Sequence, residues 1–280
     1  MSESAQPRSY VQQDLRNRSF KGQILNAADF SGADLRGCTF NNAQLVGANF
    51  ERARMGRSLR QRVIWVGSAI ATFLLVGHAV SNLVFGSLGQ TPADKAWTYV
   101  LVLVGVSGLA GALAGVKAWL KQPFNQIAEI LAGVAAGAVV GFFYAGVLAG
   151  KDPRWAIGGA VLGGVALGVL GLSTWRWRWR RLLSAIVLRL TVALTAYGFA
   201  FLVGATALTM LNVGYLWAGF ILGLLSLLYL WFTWQGLVDT VQTIRQAPGT
   251  TFCNANLTDA RFSAVSVHQA DFSGAVGRTF

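Results

Sequence analysis

LRNRSFKGQILNAADFSGADLRGCTFNNAQLVGANFERARM, residues 15–55, carries the reading of the whole chain. Leu15, Phe20, Leu25, Phe30, Leu35, Phe40, Leu45, Phe50 and Met55 fall on one unbroken five-residue step. An amphipathic helix repeats near 3.6 residues and a half-buried strand at 2, so neither accounts for it. Two residues before most of these large side chains stands a small one, at Ala28, Ala33, Cys38, Ala43, Ala48 and Ala53. Asp29, Asp34, Gln44 and Asn49 fill the place between. The same step returns at the far end with Phe252, Leu257, Phe262, Val267 and Phe272, where Ala255, Ala260 and Ala270 keep the offset.

Between the two runs the composition changes. The chain has 280 residues, 54% of them hydrophobic and only 12% charged, with a mean hydropathy of +0.50. The apolar excess lies between about Val63 and Val238, which marks the middle as a membrane domain. About six helical spans are expected, near 63–87, 96–119, 124–149, 155–175, 182–209 and 215–238. Gln90–Asp94, Lys121–Pro123, Lys151–Pro153 and Asn212–Gly214 punctuate them as turns.

The formal charge of +12 gathers beside these spans, at Arg52, Arg54, Arg57, Arg60, Arg62, Lys117, Lys121, Arg176, Arg178, Arg180 and Arg181. That distribution fits membrane orientation and anionic lipid, not nucleic acid. Loops on the opposite side hold only Lys95, Lys151 and Arg154, so the positive-inside rule places both termini in the cytoplasm. The polar N-terminus, with Arg8, does not read as a cleaved secretory signal.

Several residues inside or beside the spans call for a role. Glycines at four-residue spacing, among them Gly111 and Gly115, Gly133, Gly137 and Gly141, and Gly159 and Gly163, let helix backbones approach; a tight internal bundle is expected, with self-association as the alternative. Trp175, Arg176, Trp177, Arg178, Trp179, Arg180 and Arg181 suit a headgroup layer as a lipid anchor, or else a docking surface for an acidic partner. Glu129 and Arg189 lie near the cytoplasmic boundary and are expected to pair or snorkel. His78, with Asn82 one turn on, reads as a packed histidine, the alternative being an axial ligand to a haem or pigment. Cys38 and Cys253 occupy different repeat positions and suggest neither a disulfide framework nor a metal cluster.

AADFS, GADLR, GANFE, NANLT, DARFS and QADFS fit the motif A(D/N)Lxx, and the runs resemble the pentapeptide-repeat family; GCTFN departs from the motif at Cys38 and Thr39. The resemblance implies a right-handed quadrilateral β-solenoid with about four repeats per coil, its large and small residues both pointing inward. Because Leu or Met alternates with Phe, a four-repeat coil stacks like on like, and Phe252 is the type that follows Met55. The expected fold is therefore an α+β membrane protein: one solenoid formed by the N- and C-terminal runs together, with the helical bundle inserted. Its domains are 1–57, 58–240 and 241–280; two separate short runs are the alternative. The expected solenoid core is Leu15 to Met55 on the five-residue step, with Phe252, Leu257, Phe262, Val267 and Phe272.

No Ser/His/Asp set, paired carboxylate, phosphate loop or metal-ligand spacing appears, so no enzyme, cofactor or metal is expected. The scattered acidic residues also lack the strongly acidic surface by which some members of this family imitate DNA. The opening RSFKGQILNAADFSGADLRGCTF looks like membrane-spanning pentapeptide-repeat proteins of cyanobacteria. The expectation is a non-enzymatic scaffold in a thylakoid or plasma membrane, contacting anionic lipids and docking a protein complex, with a solute or lipid transporter as runner-up.

Overall fold

The computed structural model describes residues 8–94, 96–117, 119–121, 124–150, 152–176, 180–267 and 269–277, with the backbone alone for 173–176 and 180–181. It divides into two compact units: the described residues up to Ile64 with those from Gln246 onward, and Trp65–Arg245.

In the first unit the backbone returns on itself every 20 residues. Asp14 bridges Asp34 and Asp34 bridges Arg54, all in parallel. Ser9, Asp29 and Asn49 form a second column, Ser19 and Thr39 a third, and Ile24 and Gln44 a fourth. Four pentapeptides thus complete one turn of a coil. The C-terminal run continues the same columns, Thr39 pairing with Thr251, Gln44 with Asn256 and Asn49 with Arg261. One further turn is pinned by β1 (Thr250–Thr251) and β2 (Ala270–Asp271), a parallel pair; the other pairings are single-residue bridges.

The motif follows from local hydrogen bonding. After each large residue the chain turns, so that Arg18 N–H donates to the Leu15 carbonyl (3.1 Å) and Ala43 N–H to that of Phe40 (3.1 Å). The third residue of these turns has a positive φ, 62° at Asn17 and 55° at Asn42, the pattern of a type II turn. The Asp or Asn before the large residue stabilises the turn from outside. Asp29 Oδ1 accepts from Ser31 N–H (2.9 Å), Asn49 Oδ1 from Glu51 N–H (3.1 Å) and Asn256 Oδ1 from Thr258 N–H (3.1 Å). An aspartate or asparagine reaches the amide two residues on, whereas a longer side chain there loses this Asx geometry.

Inside, the large residues stack in columns. Phe20, Phe40, Phe252 and Phe272 form one ladder, with ring centroids 4.9–5.0 Å apart and planes within 7°. Tyr10, Phe30, Phe50 and Phe262 form the second, at 4.9–5.1 Å. Neighbouring rings of the two ladders meet edge to face, as at Phe30 and Phe40 (5.5 Å, 84°). Offset and edge-on pairs satisfy the ring quadrupoles and add about 0.5–1.5 kcal/mol each beyond burial.

The chain leaves this coil at Gly56 and returns at Gly249. At that seam Thr250 takes the small inward position, its hydroxyl donating to the Leu35 carbonyl (2.9 Å) and accepting from Gly56 N–H (3.0 Å). Arg57 Nε donates to the Ala247 carbonyl (2.7 Å) and Gln61 Nε2 to that of Gly249 (3.2 Å). A Cβ on Gly249 would collide with the Gly56 carbonyl.

The described residues then form six helices: α1 (Leu59–Ser87), α2 (Trp97–Val116), α3 (Phe124–Leu148), α4 (Pro153–Arg176), α5 (Arg180–Asn212) and α6 (Leu216–Gln246). All six are long and apolar enough to cross a membrane. α1 starts four residues before the expected span because Ser58 and Gln61 form a capping box, Gln61 N–H donating to Ser58 Oγ and Ser58 N–H to Gln61 Oε1 (both 3.2 Å). α4 starts on Pro153 with Asp152 accepting the Arg154 amide (2.9 Å). α6 runs well past the expected end at residue 238. In the helical unit α5 is central: 78% of its most apolar window is buried, against 22–33% for the other five. Valines of α1, Val76, Val80 and Val84, pack on its Leu194 and Leu202, and Gly236 of α6 lies against its Ala193.

Candidate functional site

In the repeat unit the expected core positions from Leu15 to Phe50, with Phe252 and Leu257, are buried; Met55, Phe262 and Phe272 are partly buried against them. Val267 is half-buried and stands outside this cluster, because the bridging of its column stops at Arg54. Tyr10, one step before the run as first read, heads an aromatic ladder; its place on the five-residue step was the available signal. Cys38 fills an alanine position, its thiol donating to the Leu15 carbonyl (2.9 Å), and burial pushes its pKa up to about 12. Cys253 Sγ lies 3.4 Å from Asp271 Oδ2, and neither cysteine is in a disulfide.

On the outer face Arg16 and Arg36 fold back onto the aspartates two residues before them, at 2.6 Å each. The Arg16 hydrogen bond takes the Asp14 carboxyl down to about 2, and the Arg36 hydrogen bond lowers that of Asp34. The interior holds side chains and the backbone groups bridge the coils, so chemistry in this unit is confined to its surface.

The helical unit brings charges together. Lys117 follows the last residue of α2, Glu129 lies in the second turn of α3, Arg189 projects from α5 and Asp239 from the last third of α6. Arg189 Nε donates to Glu129 Oε1 (3.0 Å) and its Nη1 to the Thr243 hydroxyl. Lys117 Nζ stands 3.8 Å from Glu129 and 3.9 Å from Asp239. Lys117, Glu129, Arg189 and Asp239 line a cavity of about 380 Å³ among α2, α3, α5 and α6, with Gln235, Trp231 and Trp234. The sequence leaves Glu129 and Arg189 to pair or to snorkel, and the structure brings them together. Lys117 is legible there only as an interfacial charge, and Asp239 and Thr243 lie beyond the end assigned to the sixth span.

The glycines close the interior of this unit. A Cβ on Gly137 would strike the Gly163 carbonyl and one on Gly141 that of Gly159, so α3 and α4 touch backbone to backbone. Gly111 makes room for Tyr229, whose hydroxyl donates to the Gly108 carbonyl (2.7 Å), and Gly115 for Phe232. His78 and Asn82 are exposed on α1, the Asn82 amide donating to the His78 carbonyl (2.8 Å). The His78 ring stands edge-on to Phe143 (5.5 Å) and lines a second, mostly apolar cavity of about 460 Å³ between α1 and α5. Trp177, Arg178 and Trp179 lie outside the described residues, as do the side chains of Trp175, Arg176, Arg180 and Arg181. Lys95, Gln122, Pro123, Lys151 and His268 likewise lie outside them.

No curated protein and no solved structure matches this chain. The family model described as pentapeptide repeats does match it, in eight copies, over residues 14–57 and 247–276. These are the two segments whose bridges build the coil. Over those two segments the chain carries pentapeptide repeats.

Proposed function

We propose that this protein is a non-enzymatic, membrane-anchored scaffold. In this reading the coil is a right-handed quadrilateral β-solenoid completed by both termini, held in the cytoplasm on six transmembrane helices, and its outer face docks a partner protein complex. The observation that carries the reading is the filled repeat core: a stack with ladders of phenylalanine inside and bridged backbone throughout is a rigid surface with no interior for a substrate. The 20-residue bridging supports the solenoid. Helix length and the exposed apolar side chains of the helices, such as Phe73, Leu162 and Ile221, support the bilayer. The loop charges support cytoplasmic termini. The likeness of the opening repeats to cyanobacterial proteins leads us to assign the thylakoid or plasma membrane, anionic lipids as neighbours and a photosynthetic complex as the class of partner.

A second reading, a small-solute or lipid transporter with a regulatory solenoid, is favoured by one observation, the charged cavity among α2, α3, α5 and α6. Affinity purification of the full chain in mild detergent separates the two. A stoichiometric partner that survives washing is the expected result. A protein that purifies alone, and moves solute when reconstituted into vesicles, would overturn the scaffold.

A further inference from the structure

The charged cavity is graded along its length. Lys117, Glu129, Arg189, Gln235 and Asp239 gather towards one edge of the helical unit, where α2 and α6 end and α3 and α5 begin. Three residues deeper on their helices, just under one turn, the lining becomes Ala114, Val192 and Phe232, with Ala196 a further turn in. α2 has 20 residues and therefore spans about 30 Å, the thickness of the hydrocarbon layer. Lys117 at its end then lies at headgroup level, with the apolar throat among the acyl chains. Trp234, 62% exposed and next to Gln235, stands at that edge as an interfacial indole does.

The charges select the headgroup. Two cations and two carboxylates cancel, so a full anion would face Glu129 and Asp239, and a full cation would face Lys117 and Arg189. Arg189 is committed to Glu129 and Thr243. Lys117 is not so committed: at 3.8 and 3.9 Å its ammonium lies beyond ordinary hydrogen-bond distance of either carboxylate. Its N–H groups and the Asp239 oxygens retain capacity for a group that both accepts and donates. A volume of about 380 Å³ lies within the range of small-molecule sites, about 300–1,000 Å³.

We propose that this cavity binds one membrane lipid with a net-neutral, hydrogen-bonding headgroup. The polar part sits among Lys117, Gln235 and Asp239, and an acyl segment lies along Ala114, Val192, Ala196 and Phe232. The proposal is independent of the docking reading and rests on the helices lying in a bilayer.

Carbonate extraction followed by native mass spectrometry of the full chain in mild detergent tests it. The probes are monogalactosyldiacylglycerol and phosphatidylcholine as neutral lipids and phosphatidylglycerol as the anionic one, all with the same acyl chains. The chain stays in the membrane fraction and retains one neutral lipid, with an affinity about ten-fold above that for phosphatidylglycerol. Asp239→Asn at the head and Ala114→Phe in the throat each lower neutral-lipid occupancy about ten-fold with the detergent melting profile retained. Gln235→Leu, confined to the mouth, replaces Asp239→Asn if that variant fails to fold, with the same loss expected. Release by carbonate would overturn the bilayer reading and the lipid site together. Retention in the membrane with equal or tighter binding of phosphatidylglycerol, or folded variants that bind neutral lipid as the wild type does, would overturn the site alone.

Discussion

Every fifth residue of the repeat must take a positive φ, and the chain meets that demand unevenly. Gly22 and Gly47 do so without strain, and Asn17, Asn42 and Asn254 tolerate it, but Ala27 (54°) and Ala264 (56°) hold a left-handed conformation with a Cβ. That conformation costs an L-residue about 1–2 kcal/mol. Nothing lies within 4 Å of a Cβ built on Gly22, so Gly22→Ala isolates the backbone cost and should lower unfolding stability by about 1 kcal/mol. Ala27→Gly should move it the other way, by up to about 1 kcal/mol after the added freedom of the unfolded chain. Chemical denaturation of both variants checks the pair; the same sign for both would contradict the turn assignment.

Titration at the residue scale has a definite sign. The folded state holds the Asp14 and Asp34 carboxyls low, so their contribution is present above the ordinary carboxylate pKa of about 4 and is lost as pH falls through the lowered values, about 2 for Asp14. Burial holds the Cys38 thiol high, at about 12. Its contribution is present below the unfolded thiol pKa of about 8.5 and is lost as pH rises towards about 12. Denaturation midpoints against pH should therefore fall at both ends. Cys38→Ala should remove part of the alkaline fall, since alanine is what the other repeats place there.

At the scale of elements, the close approach of α3 and α4 gives a paired test. Alanine at Gly137 meets the Gly163 carbonyl, and overpacking of this kind costs about 1–3 kcal/mol. Gly158, one residue from the contacting stripe, has nothing within 4 Å of its Cβ, so Gly158→Ala should gain up to about 1 kcal/mol from helix propensity. Thermal unfolding in detergent should show opposite shifts. Equal shifts would mean that the glycine spacing does not set this interface.

The same scale shows what sequence made legible. Five-residue periodicity identified the core step, and four-residue glycine spacing identified the faces that touch, because both are direct consequences of backbone geometry. Hydropathy located six helices but not their ends. It measures the length favoured by lipid, whereas α1 is extended by the Ser58–Gln61 box and α6 continues to Gln246 through polar residues. Asp239 was lost to that difference, and with it half of the carboxylates of the cavity. Lys117 was visible only as a loop charge, since its two acidic neighbours come from helices distant in sequence. Val267 was assigned to the core by periodicity, but the step alone cannot show that the pairing of its column ends at Arg54.

For the whole molecule, the central claim is that residues 14–57 and 247–276 make one coil, with the six helices as an insertion between Gly56 and Gly249. The register follows from stacking: Met55 hands over to Phe252, which lies on Phe40 at 4.9 Å. The seam bonds at Thr250 and Gln61 then tie the start of α1 to the returning chain. Gln44 and Asn256 form an exposed parallel bridge across this seam, and bridge partners stand close enough for a disulfide. The decisive measurement is oxidation of Gln44→Cys/Asn256→Cys in the full chain with Cys38 and Cys253 replaced by alanine, alongside Ile24→Cys/Gln44→Cys as the pair within one run. Both pairs should form disulfides to a similar extent under mild oxidant. Efficient crosslinking of the Ile24/Gln44 pair with none between positions 44 and 256 would contradict a coil built from both ends.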